Sequence, residues 1–177
     1  MSAQPVQQAG QVFWLTGLSG AGKTTIAQAT RAQLAARGQP CAVLDGDELR
    51  RGLTSDLGFS AADRAESVRR AAEVARLMAD AGLVVIVALI SPYRADRDRA
   101  RRLFEPGRFI EVHVDTPLAV AEARDPKGLY KRARQGLLSG FTGIDAPYET
   151  PLQPELVVRT GELSPEQAAA RLLAQLR

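Results

Sequence analysis

Residues Gly17-Leu18-Ser19-Gly20-Ala21-Gly22-Lys23-Thr24 spell a complete G-x-x-x-x-G-K-[ST] loop, and the flanks of that loop decide the fold. Before it, Val12-Phe13-Trp14-Leu15 is an apolar run of strand formers; after it, Thr24-Thr25-Ile26-Ala27-Gln28-Ala29 opens a helix. Strand, glycine loop and helix in that order predict backbone N–H groups converging on phosphate at the positive end of a helix. Lys23 is placed to reach the β- and γ-phosphates and Thr24 to offer its hydroxyl to Mg²⁺. The loop implies a bound nucleoside triphosphate. It leaves open which group receives the phosphate.

Outward from the loop, strand-like and helix-like segments alternate. Strands are predicted near 41–45, 83–90, 109–114 and 156–158, and helices over about 61–81, 94–103 and 164–176. This order predicts βαβ units and an α/β fold of three layers, α/β/α, around a central, mainly parallel five-stranded sheet. Leu83 to Ile90 shows no polar alternation, as a central strand covered on both faces requires. Val68, Ala71, Ala75 and Met78 recur at helical spacing and read as core. Ser164-Pro165-Glu166-Gln167 supplies an N-cap, a first-turn proline and a capping-box glutamine for the last helix.

The chain has 177 residues, 45% of them hydrophobic and 24% charged, which suits one domain rather than two. Residues 1–10 are Gln-rich and aperiodic, so they read as a flexible leader before a single domain over 11–177. Neither a secretory signal nor an apolar run long enough for a membrane span is visible, and a soluble cytoplasmic protein is expected. The lone Cys41 excludes an internal disulfide; its apolar neighbours favour a buried structural thiol. The only histidine, His113, sits within a strand and reads as packed rather than catalytic. With no cysteine or histidine cluster, a transition-metal site is not expected. A net charge of +3 and a pI near 9.4 suit either nucleic acid or a pocket for several phosphates. Aromatics are only 5% of the chain and most arginines have acidic neighbours, which disfavours a nucleic-acid binder.

The segment from Arg124 to Pro154 interrupts the alternation with four glycines and four prolines. Its first part carries Arg124, Lys127, Lys131, Arg132 and Arg134 against the lone acid Asp125, the profile of a mobile basic lid over about 124–150. Strand 41–45 ends in Leu44-Asp45-Gly46-Asp47, at the sheet edge where ligands of open α/β folds collect. Strand 83–90 ends without an aspartate, so the carboxylate for the metal falls to the Asp45 strand. Either Asp45 or Asp47 can act as base or metal partner. Arg50, Phe59, Arg64 and Ser91-Pro92-Tyr93-Arg94 suit an anionic acceptor that carries an aromatic base. Arg69 and Arg76, like Arg97, Arg99, Arg101 and Arg102, stand beside acids and can equally be solvated helix pairs.

These blocks resemble the adenylylsulfate kinases, which phosphorylate the 3′-hydroxyl of adenosine 5′-phosphosulfate with MgATP. The resemblance runs from about Gln11 to Thr160. It rests on the loop at 17–25, Leu44-Asp45-Gly46-Asp47 with Arg50, residues 56–60 with Asp63-Arg64, Ile90-Ser91-Pro92-Tyr93-Arg94, residues 124–130 and Gly140-Phe141-Thr142-Gly143-Ile144-Asp145. It implies ATP and Mg²⁺, with Gly17, Leu18, Ser19, Gly20, Ala21, Gly22, Lys23, Thr24, Thr25 and Arg124 around ATP. Thr24 and Asp45 address the metal, and Lys23, Asp45 and Ser91 are the catalytic candidates. Asp47, Arg50, Phe59, Arg64, Ser67, Ile90, Ser91, Lys127, Gly140 and Phe141 face adenosine 5′-phosphosulfate, with Phe59 and Phe141 against its adenine and Arg124 against that of ATP. Two positions depart from the family pattern. Ser67 stands where asparagine is usual, shortening one acceptor contact, and Ala121 where cysteine is common. In the family, the serine matching Ser91 has been assigned as a phosphorylated intermediate; in-line transfer needs none, and no base stands near it in sequence. The resemblance also implies a homodimer and a stand-alone kinase or excised domain. Another small P-loop kinase, or a nucleotide-binding regulatory module without turnover, is the alternative reading.

Overall fold

The computed structural model of the protein describes residues 10–177; residues 1–9 of the expected leader lie outside the described residues. Its elements are β1 (Val12–Thr16), α1 (Lys23–Ala36), β2 (Cys41–Asp45), α2 (Gly46–Leu49), α3 (Ala61–Asp80), β3 (Val84–Ala88), α4 (Arg94–Arg101), β4 (Phe109–Asp115), α5 (Leu118–Arg124), α6 (Leu129–Arg134), β5 (Leu156–Arg159) and α7 (Pro165–Leu173). The strands lie in the order β2-β3-β1-β4-β5, and all four pairings are parallel. Phe13 is opposite Ile86 on one side and Ile110 on the other, so β1 runs through the middle of the sheet.

Side chains alternate between two cores because successive strand residues point to opposite faces. Phe13, Leu15, Ile86 and Val112 pack with Ile26 and Leu34 of α1 and Leu172 of α7. On the other face Val12, Trp14, Val85 and Val87 pack with Val68, Ala71 and Ala75 of α3. The small residues of α3 let that helix sit close to the sheet, and the predicted stripe is its buried face.

Gly10, the last residue of the expected leader, is buried and donates its N–H to the Ala79 carbonyl at 2.7 Å. A Cβ there would lie 1.8 Å from the Leu83 carbonyl oxygen, so only glycine fits this approach of chain to chain. At the other end, the predicted capping box is complete: Ser164 Oγ accepts from Gln167 N and Gln167 Oε1 from Ser164 N. Cys41 is half-buried rather than buried, because β2 is an edge strand. His113 is buried and stacks on Tyr148, as a packed strand histidine. Among the described residues no helix is long and apolar enough to cross a membrane.

The segment after α5 is built rather than irregular. Phe141, Tyr130, Ala133 and Ala121 form a small third core. The Asp125 carboxylate accepts from the N–H groups of Tyr130 and Lys131 at the start of α6, and Asp145 accepts from those of Gly140 and Phe141. Of its five expected lid cations, only Arg124 and Lys127 line the cavity described below. Arg134 pairs with Glu122, while Lys131 and Arg132 are exposed. For those three residues of α6, the solvated reading holds.

Candidate active site

The carboxyl ends of β1, β2 and β3 open into a cavity of about 710 Å³ that is roofed by Arg124, Pro126 and Lys127. On its floor the glycine loop turns through left-handed conformations at Gly20 (φ 73°) and Gly22 (φ 105°), which frees α1 to begin at Lys23. Gly22 is the N-cap residue and contributes no side chain, so the first N–H groups of α1 stay available to an anion.

Lys23 is buried and donates from Nζ to the carbonyls of Gly17 (2.8 Å) and Leu18 (2.7 Å). Desolvation, with Lys127 nearby, pulls its ammonium down to about 7; Asp45 and Asp47 act against this. A polyphosphate in the cavity would restore the charge. Thr24 donates its hydroxyl to Asp45 Oδ2 at 2.6 Å, and Asp45 Oδ1 accepts the N–H of Asp47 at 2.9 Å. Asp45 therefore caps α2 and meets the donor loop with the same carboxylate. A hydroxyl beside a carboxylate at the phosphate loop is a hard oxygen donor pair of the kind Mg²⁺ takes up with phosphate and water. Among the described residues no group of three or more His, Cys, Asp and Glu gathers into a metal site.

Across the cavity, Asp47 forms an ion pair with Lys127, tying the roof to the start of α2. Arg50 stacks its guanidinium 4.1 Å from the centre of the Phe59 ring, and that ring is 56% exposed. Arg64 is buried: Nε donates to the Phe59 carbonyl, Nη1 to Thr142 Oγ1 and Nη2 to the Gly140 carbonyl. It thus fastens the segment at Phe59 to the segment at 140–142. Desolvation lowers the pKa of both arginines. Ser67 and Ile90 line the same cavity. Ser91 is 3% exposed and has a positive φ of 40°; its hydroxyl accepts from Trp14 Nε1 at 3.0 Å and contacts the Leu89 carbonyl at 3.3 Å.

The model of the family described as adenylylsulphate kinase matches residues 9–159. The chain belongs to the adenylylsulphate kinase family. An adenylyl-sulfate kinase of Burkholderia ambifaria is 61% identical over 165 residues, covering 93% of this chain and 91% of that one. One from Geotalea daltonii is 56% identical over 166 residues, covering 94% and 82%. The structure of the Mycobacterium tuberculosis APS kinase CysC in complex with AMPPNP and APS is similar at a TM-score of 0.90 and 45% identity, over 94% of this chain and 97% of that one.

Not every residue expected from the adenylylsulphate kinase pattern reaches the cavity. Gly17 and Leu18 are off its lining, and Gly140 lines a shallower pocket that shares Phe59 with it. The carbonyls of Gly17 and Leu18 hold Lys23, and that of Gly140 holds Arg64. Phe141 reaches the cavity but is buried edge-on against Tyr130, at 4.9 Å and 87°. Arg124 Nη1 lies 3.2 Å from Thr160 Oγ1 and 3.4 Å from the Gly20 and Ala21 carbonyls, beside the glycine loop. The sequence reading missed that the cavity is also lined by Thr160 and Leu163, from the turn between β5 and α7, and by Pro165 and Ala168, from the start of α7. The capping box was the available signal, since it placed a helix start there. Tyr130, whose hydroxyl donates to the Ser19 carbonyl at 2.8 Å, was also missed.

Proposed function

We propose that the protein transfers the γ-phosphoryl group of ATP to the 3′-hydroxyl of adenosine 5′-phosphosulfate, giving 3′-phosphoadenylyl sulfate and ADP. The observation that carries this reading is the shared carboxylate of Asp45, bonded at once to the donor-loop hydroxyl of Thr24 and to the acceptor helix α2. One acid thus stands between the phosphate loop and the segment that carries Asp47 and Arg50, where a phosphoryl donor and its acceptor would have to meet.

The loop N–H groups and Lys23 hold the triphosphate, and Arg124 with the β5–α7 turn holds the donor base. Thr24 would hold Mg²⁺ with Asp45 beside it, and the ion would supply charge neutralisation on the phosphate oxygens. Arg50 and Phe59 offer a cation and an aromatic face to the sulfated nucleotide, and Lys127 can exchange its Asp47 partner for an anionic substrate. As the 3′-oxygen bonds to the γ-phosphorus, the bond to the β–γ bridging oxygen breaks, ADP leaves, and Asp45 takes the hydroxyl proton. Ser91 serves this step by position, not as a phosphate carrier: its hydroxyl is shared between Trp14 and Leu89, and it faces no base. The family resemblance supports a homodimer and a cytoplasmic location.

Purified protein is expected to release ADP from MgATP in step with adenosine 5′-phosphosulfate and to show no comparable turnover with nucleoside monophosphates or sugar acids. Absence of turnover on adenosine 5′-phosphosulfate would sink the proposal. Light scattering tests the dimer.

A further inference from the structure

The Ile90–Ser91 turn forms part of the acceptor wall in a conformation that non-glycine residues avoid. Such a turn persists only when its surroundings over-determine it. Thr16 Oγ1 donates to the Ile90 carbonyl at 2.7 Å and lies 3.3 Å from that of Ser91. The stronger hold on Ser91 comes from below. Arg97, 2% exposed and absent from the cavity wall, donates from Nη1 to the Ser91 carbonyl at 2.7 Å.

The remaining nitrogens of Arg97 fix its plane. Nε donates to Glu111 Oε1 in the centre of β4 at 2.7 Å, and Nη2 to the Glu149 carbonyl at 2.7 Å. Glu149 in turn accepts the Arg94 N–H on its carboxylate and donates its own N–H to the Pro92 carbonyl. One guanidinium therefore registers three segments: β4, the turn after β3, and the strand of chain that returns from the lid. A buried ion pair by itself adds little stability over apolar packing, so the retention of a charged fork here points to geometry.

We infer that Arg97 is a positioning residue for the acceptor, acting through the Ile90–Ser91 turn. This rests on the phosphoryl transfer to adenosine 5′-phosphosulfate proposed above. Neighbouring Arg101 supplies the contrast. It shares Glu111 at 3.2 Å and pairs with Glu155, yet makes no bond to Ser91 or Glu149. Arg101 is also a third exposed where Arg97 is buried, so stability alone does not separate the two roles, and the split between the two KM values must.

The protein also carries its own reporter, because its single tryptophan, Trp14, bonds to Ser91 Oγ. The test compares Arg97→Lys, which keeps a charge for Glu111 but lacks the fork, with Arg101→Met. The double variant Arg97→Met with Glu111→Met removes the pair without stranding a charge. Arg97→Lys and the double variant are expected to raise KM for adenosine 5′-phosphosulfate by on the order of 10- to 100-fold. KM for ATP should stay within about twofold in both, Arg101→Met should match wild type in both KM values, and Trp14 emission should shift in Arg97→Lys, which leaves the Trp14 neighbours Glu111 and Phe109 in place. Folded Arg97 variants with an unchanged acceptor KM, or with both KM values rising together, overturn the inference. So does an unshifted Trp14 spectrum in Arg97→Lys. If the wild-type protein does not phosphorylate adenosine 5′-phosphosulfate, the functional proposal fails instead, and the Trp14 comparison still decides whether Arg97 sets the turn.

Discussion

Asparagine at position 45 separates two duties that the structure gives to one carboxylate. Asp45 Oδ1 accepts the Asp47 N–H and caps α2, whereas Oδ2 takes the Thr24 hydroxyl. Asparagine caps about as well as aspartate, but it bears no charge and accepts no proton. Asp45→Asn should therefore keep the melting temperature within about 1 °C and lower kcat by about 10²- to 10⁴-fold, with KM values little changed. Asp45→Ala loses the cap as well, at a cost of about 1 kcal/mol. For a chain of 177 residues the unfolding entropy is about 0.37 kcal/mol/K, so that loss lowers the melting temperature by about 3 °C. Differential scanning fluorimetry and a coupled assay for ADP read the two effects independently. Wild-type kcat in Asp45→Asn would refute Asp45 as the proton acceptor. Equal melting temperatures for wild type and Asp45→Ala would refute the cap.

Three further outcomes are expected. Lys23→Met should fold, since burial already disfavours its ammonium, and should lose about 10²-fold or more in kcat; near-normal turnover would move phosphate stabilisation elsewhere. Gly10→Ala forces a methyl against the Leu83 carbonyl and should destabilise the protein by about 2 kcal/mol or more in denaturant melts, with catalysis at low temperature preserved. Burial pushes Tyr130 and Tyr148 up to about 12, so each protects the fold below pH ~10 and loses that contribution as pH rises through ~12. The effect is at most about 3 kcal/mol apiece. Tyrosinate absorbance should show this late titration, and Tyr130→Phe with Tyr148→Phe should abolish it while softening the alkaline decline.

Where apolar period or a glycine loop carried the information, the sequence was enough. Strand β2 spans 41–45 as predicted, α3 ends at Asp80 within a residue of expectation, and Thr24 bonds Asp45 across the glycine loop. Charge defeated the same reading. Arg97 lies between Asp96 and Asp98, so it reads as one of a solvated run, yet it is the most deeply buried arginine of its helix. Periodicity finds apolar faces and is blind to a buried fork whose partners, Ser91, Glu111 and Glu149, come from elsewhere in the chain. The lid misled for a related reason. Five cations masked a core of only Tyr130, Phe141, Ala133 and Ala121.

The packing of Gln11 has an engineering consequence. Its side-chain amide donates to the carbonyls of Gly107 and Gln175, and its oxygen accepts the Arg177 N–H. Gln11 precedes β1 and Gly107 precedes β4, so Arg177 is moored at the edge where the strands begin. The cavity opens where they end. A tag, a surface linker or a second enzyme joined after Arg177 would emerge on the far side from the substrates, and immobilising the protein by that end would leave both nucleotides a clear approach.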